Sequence, residues 1–154
     1  PFFDLLASHE LGHAFQYQAG LNVQRLWMGE LFVNILLHTY IAENEPELLP
    51  ALTVFPQMVV GGGKEGLKFT TLKDIEERYG EITSKHPKNY GWYQCRWHSA
   101  AGNIYDAGGV KTFVKLWKAL LEQKETLNDA DLASFLSKKV DQTVADVMLR
   151  WDEN

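Results

Sequence analysis

His9-Glu10-Leu11-Gly12-His13 sets two imidazoles four residues apart, with a carboxylate beside the first. On a helix, residues four apart share a face, so both rings can reach one metal ion at about 2.0–2.1 Å, the usual zinc–nitrogen distance. Glu10, one step round from His9, can reach a water on that ion without ligating the ion. Zinc brings the pKa of such a water toward neutrality, and a nearby carboxylate can take its proton as it attacks a carbonyl. These residue types at this spacing predict a zinc site for hydrolysis, with Glu10 as general base.

A catalytic zinc generally takes three protein ligands. No third histidine follows at short spacing, and the next acidic residue is Glu30, within Trp27-Met28-Gly29-Glu30-Leu31-Phe32-Val33-Asn34. A turn over Gly20 to Val23 lets an antiparallel pair of helices bring Glu30 back beside the histidines, which makes it the expected third ligand. Asn34, one turn further, shares the face of Glu30. It is expected to hydrogen-bond a ligand imidazole and fix its orientation without ligating the ion. His38 lies near the same face and is assigned to the core. His86, before Pro87, is assigned to solvent. Glu43, Glu45 and Glu47 read as a polar helix end.

The elements that must position these groups are helices. Apolar spacing predicts one over Phe2 to Gln18, with Gly20 as its cap, and a second over about Gln24 to Glu43, ended by Pro46. Pro50 and Pro56 bracket an apolar segment, Ala51 to Val60, in which Thr53-Val54-Phe55 is short enough to be extended. Gly61-Gly62-Gly63 reads as a loop; it lacks the Gly-Lys-Ser/Thr ending of a phosphate cradle. Thr71 and Asp74 form a capping box for a helix that has Gly80 near its end. A polar loop over His86 to Gly91 follows. Further helices are expected over Gly91 to Tyr105, Val110 to Gln123, Asp129 to Lys139 and Val144 to Asp152. Gly108-Gly109 and Asn128 are the joints, and Thr143 is the last cap. Strand-like alternation is scarce, so the fold class is mainly α.

Composition narrows the function classes. The 154 residues suit one domain, with 45% hydrophobic and 23% charged residues and a formal net charge of -5. A mildly acidic chain with dispersed basic residues gives no footprint for nucleic acid. No apolar run reaches the eighteen or so residues of a membrane span. Cys95 is the one cysteine; it excludes an internal disulfide and a Cys-x-x-Cys metal site, and reads as a small buried hydrophobe. The chain opens on Pro1-Phe2-Phe3-Asp4, with neither an initiator Met nor the features of a signal peptide. It is read as a trimmed chain whose missing part lies upstream.

His-Glu-x-x-His followed by a helix bearing Glu-x-x-x-Asn resembles the gluzincin clan of zinc metallopeptidases, which includes thermolysin and aminopeptidase N. Trp27-Met28-Gly29-Glu30 resembles the Trp-Leu-Asn-Glu stretch of aminopeptidase N. Gly29 to Asn34 also resembles the third-ligand segment of enhancin-like peptidases that attack mucins. The resemblance implies the helical C-terminal lobe of a gluzincin-like catalytic domain, with a β-containing lobe upstream, zinc as cofactor and a peptide or protein as substrate. It also implies a downstream donor for the oxyanion of the tetrahedral intermediate. Tyr93 is the residue that matches, with His98 and Tyr90 as rivals in the same segment. Trp151-Asp152 resembles the closing Trp-bearing helix of such enzymes, a packing element. The alternative is a degenerate helical module that retains metal, binds a partner and no longer cleaves.

Overall fold

The structure, a computed structural model, describes residues 5–153. Among these there are seven α-helices and no strand. The mainly α class expected from the sequence holds. The expected helix start at Phe2 lies outside the described residues, and the first helix, α1, spans Leu6–Ala19. The second, α2, spans Leu26–Asn44, and thirteen of its nineteen residues are buried. A helix covered nearly all round is a central one, and α2 packs against every helix from α1 to α5.

A short 3-10 turn, Pro46–Leu48, leads into α3, Leu49–Gly61. The segment with Thr53-Val54-Phe55 is therefore helical and not extended. Pro50 sits in the first turn, where a missing N–H costs nothing. Pro56 lies inside the helix and is buried. It removes one backbone hydrogen bond, yet the helix continues, held along α5.

α4 spans Leu72–Lys85 and carries the expected box: the Asp74 N–H donates to Thr71 Oγ1 at 3.0 Å, and the Thr71 N–H to Asp74 Oδ2 at 3.2 Å. It runs on past Gly80, with Arg78 off the helical dihedrals. The next helix, α5, runs Pro87–Glu122. The expected loop over His86 to Gly91 is absent because Pro87, preset for a first helical position, starts α5 immediately after His86. The joint at Gly108-Gly109 survives as a kink inside α5. Gly109 adopts φ 60 and ψ -155, a conformation open to glycine and strained for other residues.

α6, Asp129–Lys139, starts where expected, with Asn128 Oδ1 accepting the Asp131 N–H at 2.9 Å. α7, Gln142–Leu149, is capped by Asp141 and not by Thr143: Asp141 Oδ1 accepts the Thr143 N–H at 2.9 Å and its hydroxyl at 2.7 Å. α7 stops at Leu149, and Trp151–Glu153 is a separate 3-10 turn.

The core joins Met28, Leu31, Phe32 and Ile35 of α2 to Trp97, Ile104 and Leu116 of α5, closed by Leu132 and Leu136 of α6 and Val144 of α7. Cys95 is buried as expected, and burial pushes its thiol up to about 11. Among the described residues no helix is long and apolar enough to cross a membrane.

Candidate metal centre

Two features hold α1 against α2. The first is the turn between them, which is pinned to the α5–α6 connection. The Asn22 N–H reaches the Leu120 carbonyl at 3.1 Å. Arg25 Nη2 donates to the Leu127 carbonyl at 2.8 Å and to Asp129 Oδ1 at 2.7 Å. Gln24 takes a positive φ of 68, unusual for a non-glycine residue. Its side chain secures that conformation, with Oε1 accepting the Leu127 N–H at 2.8 Å and Nε2 donating to the Glu125 carbonyl at 3.0 Å.

The second feature is Gly12, inside the His-Glu-x-x-His motif. A Cβ at Gly12 would lie 2.7 Å from Val33 Cγ1, closer than packed carbons tolerate. The bare backbone lets α1 approach α2 until the histidines meet Glu30. At the N-terminal end of α2 the first backbone N–H groups have no cap from Arg25. Glu76 of α4 supplies one, accepting from Leu26 N at 3.1 Å and Trp27 N at 3.3 Å.

The result is a convergence of three ligand-type atoms. His9 Nε2 lies 3.2 Å from Glu30 Oε2 and 3.2 Å from His13 Nε2, and His13 Nε2 lies 3.6 Å from Glu30 Oε2. His9 and Glu30 are buried, whereas His13 is partly open. The His9 Nδ1–H donates to Asn34 Oδ1 at 3.0 Å. That bond turns Nε2 of His9 toward the other two atoms. Asn34 thus sits where the sequence placed it, bonded to a histidine of the group.

These separations suit a metal. Ligands about 2.0–2.1 Å from a tetrahedral zinc lie about 3.3 Å from one another, close to what the three atoms show. The charges are also matched. Burial pushes the Glu30 carboxyl up, but hydrogen bonds from His13, His9 and Gln94 outweigh burial and hold it well below the usual carboxylate range. The hydrogen bond to Glu30 raises the His13 pKa; burial opposes this, and the charges of Glu30 and Glu10 add to it. Glu10 is exposed on the same helix, and its charge is felt at both His13 and Tyr90.

Two residues that sequence reasoning did not select complete the surroundings of Glu30. The Tyr79 hydroxyl donates to Glu30 Oε1 at 3.0 Å. Gln94 Nε2 donates to Glu30 Oε2 at 2.8 Å and to the Tyr90 hydroxyl at 2.9 Å. Gln94 carries a signal in retrospect, since it falls midway in the stripe Tyr90, Gln94, His98, spaced four residues apart. Tyr79 carries none, because it reads as one more apolar position on α4.

Tyr93 departs from expectation. Its ring is fully buried, stacked on Trp97 and Trp151, and its hydroxyl donates to the Thr71 carbonyl at 2.7 Å. The phenol is turned to the aromatic core and does not face the metal group. Helical phase is the cause: Tyr93 is one residue off the stripe that meets Glu30. His98 does lie beside the group, its ring centroid 6.4 Å from that of His9. It is buried, and burial pushes its pKa down to about 3, so the ring is neutral. Tyr90 is partly open, and its hydroxyl is 3.4 Å from that of Tyr79.

His38 is buried against Tyr105 and burial lowers its pKa, in keeping with a core assignment. His86 is partly covered, edge-on to Phe69 and 3.6 Å from Glu81 Oε1. Trp151 is buried in the 3-10 turn that follows α7 and not in the closing helix expected for it, its Nε1 donating to the Thr70 carbonyl at 2.8 Å. Comparison of the chain with protein-family models, with curated proteins and with solved structures finds no match.

Proposed function

We propose that this protein is a zinc metallopeptidase of the gluzincin type. His9, His13 and Glu30 would hold the metal, and Glu10 would be the general base. The observation that carries the reading is the spacing of His9 Nε2 and His13 Nε2 of α1 and Glu30 Oε2 of α2, 3.2 to 3.6 Å apart, beside the exposed Glu10 carboxylate of the same α1 motif.

When bound, zinc supplies Lewis acidity to the attacking water and the substrate carbonyl. The chain supplies the rest. Asn34 keeps the His9 Nε2 lone pair aimed at the site. Tyr79 and Gln94 hold both oxygens of Glu30. Glu10 takes the proton of the attacking water and passes it to the leaving amine. The oxyanion donor is Tyr90, because the residue is partly open and its hydroxyl belongs to the Glu30 network. A neutral phenol donates there without competing for the metal. A peptide is the substrate, and a β-containing lobe of the same protein is the partner that the resemblance implies.

Metal analysis and a base variant test the reading. The purified chain is expected to hold one zinc, and His9→Ala or Glu30→Ala to lose it. In the full-length protein Glu10→Gln is expected to keep zinc and lower hydrolysis by about 10²–10⁴. Full zinc in Glu30→Ala removes Glu30 from the ligand set. A Glu10→Gln protein with unchanged function supports the non-catalytic binding module instead.

A further inference from the structure

We propose that Asn34 and Gln94 form a side-chain amide bridge that couples the orientation of His9 to that of Glu30, with Gln94 acting as a positioning residue for the metal ligands. The proposal rests on the metal-site reading above and adds a third helix to it. The three ligand residues lie on α1 and α2, whereas Gln94 comes from α5.

The hydrogen bonds run in one direction through both amides. The His9 Nδ1–H donates to Asn34 Oδ1 at 3.0 Å, Asn34 Nδ2 donates to Gln94 Oε1 at 3.3 Å, and Gln94 Nε2 donates to Glu30 Oε2 at 2.8 Å. The two ends fix the polarity. An anionic carboxylate accepts only, so it demands an N–H from Gln94. That choice turns Gln94 Oε1 toward Asn34, which must then offer its own N–H and present Oδ1 to His9. Reversing either amide sets oxygen against carboxylate or N–H against N–H, inside a region where Asn34 is fully buried and His9 and Glu30 nearly so. An unpaired polar group there is costly.

The bridge has two consequences. His9 is held with its Nδ1–H on Asn34 and its Nε2 turned toward Glu30 and His13. Glu30 presents only Oε2 to the histidines, because Tyr79 holds Oε1 on the other side. The second Gln94 hydrogen bond, to the Tyr90 hydroxyl at 2.9 Å, ties the same amide to Tyr90. One side chain of α5 therefore sets the state of ligands on two other helices.

A double-mutant cycle tests it. Zinc affinity is measured by chelator competition for the unmodified chain, Asn34→Ala, Gln94→Met and the double variant. Helix content is followed by circular dichroism, and cobalt absorption reports coordination geometry. Each single change is expected to weaken zinc by about 10–100-fold, and the double variant by little more than the worse single. The cobalt spectrum is expected to change in Gln94→Met. In the metal-free chain, nitrogen-15 shifts are expected to show His9 Nδ1 bearing a proton, as its bond to Asn34 Oδ1 requires, and Gln94→Met to erode that signature. Losses that multiply in the double variant, or a Gln94→Met chain with unmodified His9 shifts and zinc affinity, overturn the bridge. Should Gln94→Met lose helix, Gln94→Asn, which keeps the amide and shortens its reach, replaces it with the same expectations. A chain that takes up no zinc overturns the metal reading, and the metal-free His9 signals still decide the bridge.

Discussion

One stretch of α5 shows two faces built from similar residues to opposite ends. Along the first, Tyr90, Gln94 and His98 look toward α1 and the middle of α2, and the Tyr90 hydroxyl and the Gln94 amide enter the hydrogen-bond network of Glu30. Along the second, Tyr93 and Trp97 look toward the chain's last turn. There Tyr93 lies parallel to Trp151 at 6.0 Å, and the Arg96 guanidinium covers the Trp151 ring at 3.9 Å. The second face is buried and the first is partly open at Tyr90 and Gln94, and both carry a tyrosine whose pKa burial raises. They differ in what stands opposite. A carboxylate draws donors into a polar network, whereas a tryptophan draws rings into a stack, and the Tyr93 hydroxyl is satisfied by a backbone carbonyl. Tyr90 and Tyr93 are three residues apart, which at about 100° per residue leaves them about 60° apart round the helix, and that offset separates a phenol in the Glu30 network from one used for packing.

The contrast can be broken from the packing side first. Trp97→Ala empties the centre of the aromatic face and is expected to cost about 3–5 kcal/mol of stability, measured by denaturant unfolding. A loss near zero would mean that the stack is not what holds α5 to the chain's end. Next comes the chemical side. Tyr90→Phe in the full-length protein is expected to lower kcat by about 10²–10³ with zinc content unchanged. An unaltered kcat takes the donor role away from Tyr90.

The matched change on the other face should do the reverse. Tyr93→Phe removes one of two hydrogen bonds to the Thr71 carbonyl, which keeps the Ile75 N–H, and is expected to cost about 0.5–1.5 kcal/mol with kcat and zinc untouched. A drop in kcat as large as that of Tyr90→Phe would erase the distinction between the faces. The smallest expected effect is a pH slope. Burial, its largest cause, raises the Tyr93 pKa above the ordinary 10.0. A phenol raised in the folded state contributes stability that is present below pH 10 and is lost as pH climbs toward the folded value, because only the unfolded chain then releases the proton. Tyr93→Phe is expected to flatten the alkaline end of the stability curve. An identical slope in both proteins would place the raised group elsewhere.

What could be read from the sequence was what a single helix or a single cap encodes. His9 and His13 share a face because they are four residues apart, and Glu30 and Asn34 share one for the same reason. The Thr71–Asp74 box, the Asn128 start and the Gly109 joint are likewise local. Local signals misled where two of them competed. Thr53-Val54-Phe55 between prolines suggested an extended piece, yet packing along α5 kept it helical. Pro87 suggested a loop but opened a helix, and Asp141 outbid Thr143 as the cap of α7.

The rest needed the tertiary structure. Which of Tyr90, Tyr93 and His98 meets Glu30 depends on the rotation of α5 about its own axis, and the packing of Trp97, Ile104 and Leu116 against α2 sets that rotation. Gln94 and Tyr79 have no motif, because their partners lie 64 and 49 residues away in the chain. The sequence by itself determined which atoms could bind a metal, since that is a matter of residue type and helical repeat. Only the packed structure decided which side chains orient those atoms, because hydrogen bonds between helices depend on an axial phase that no local pattern records.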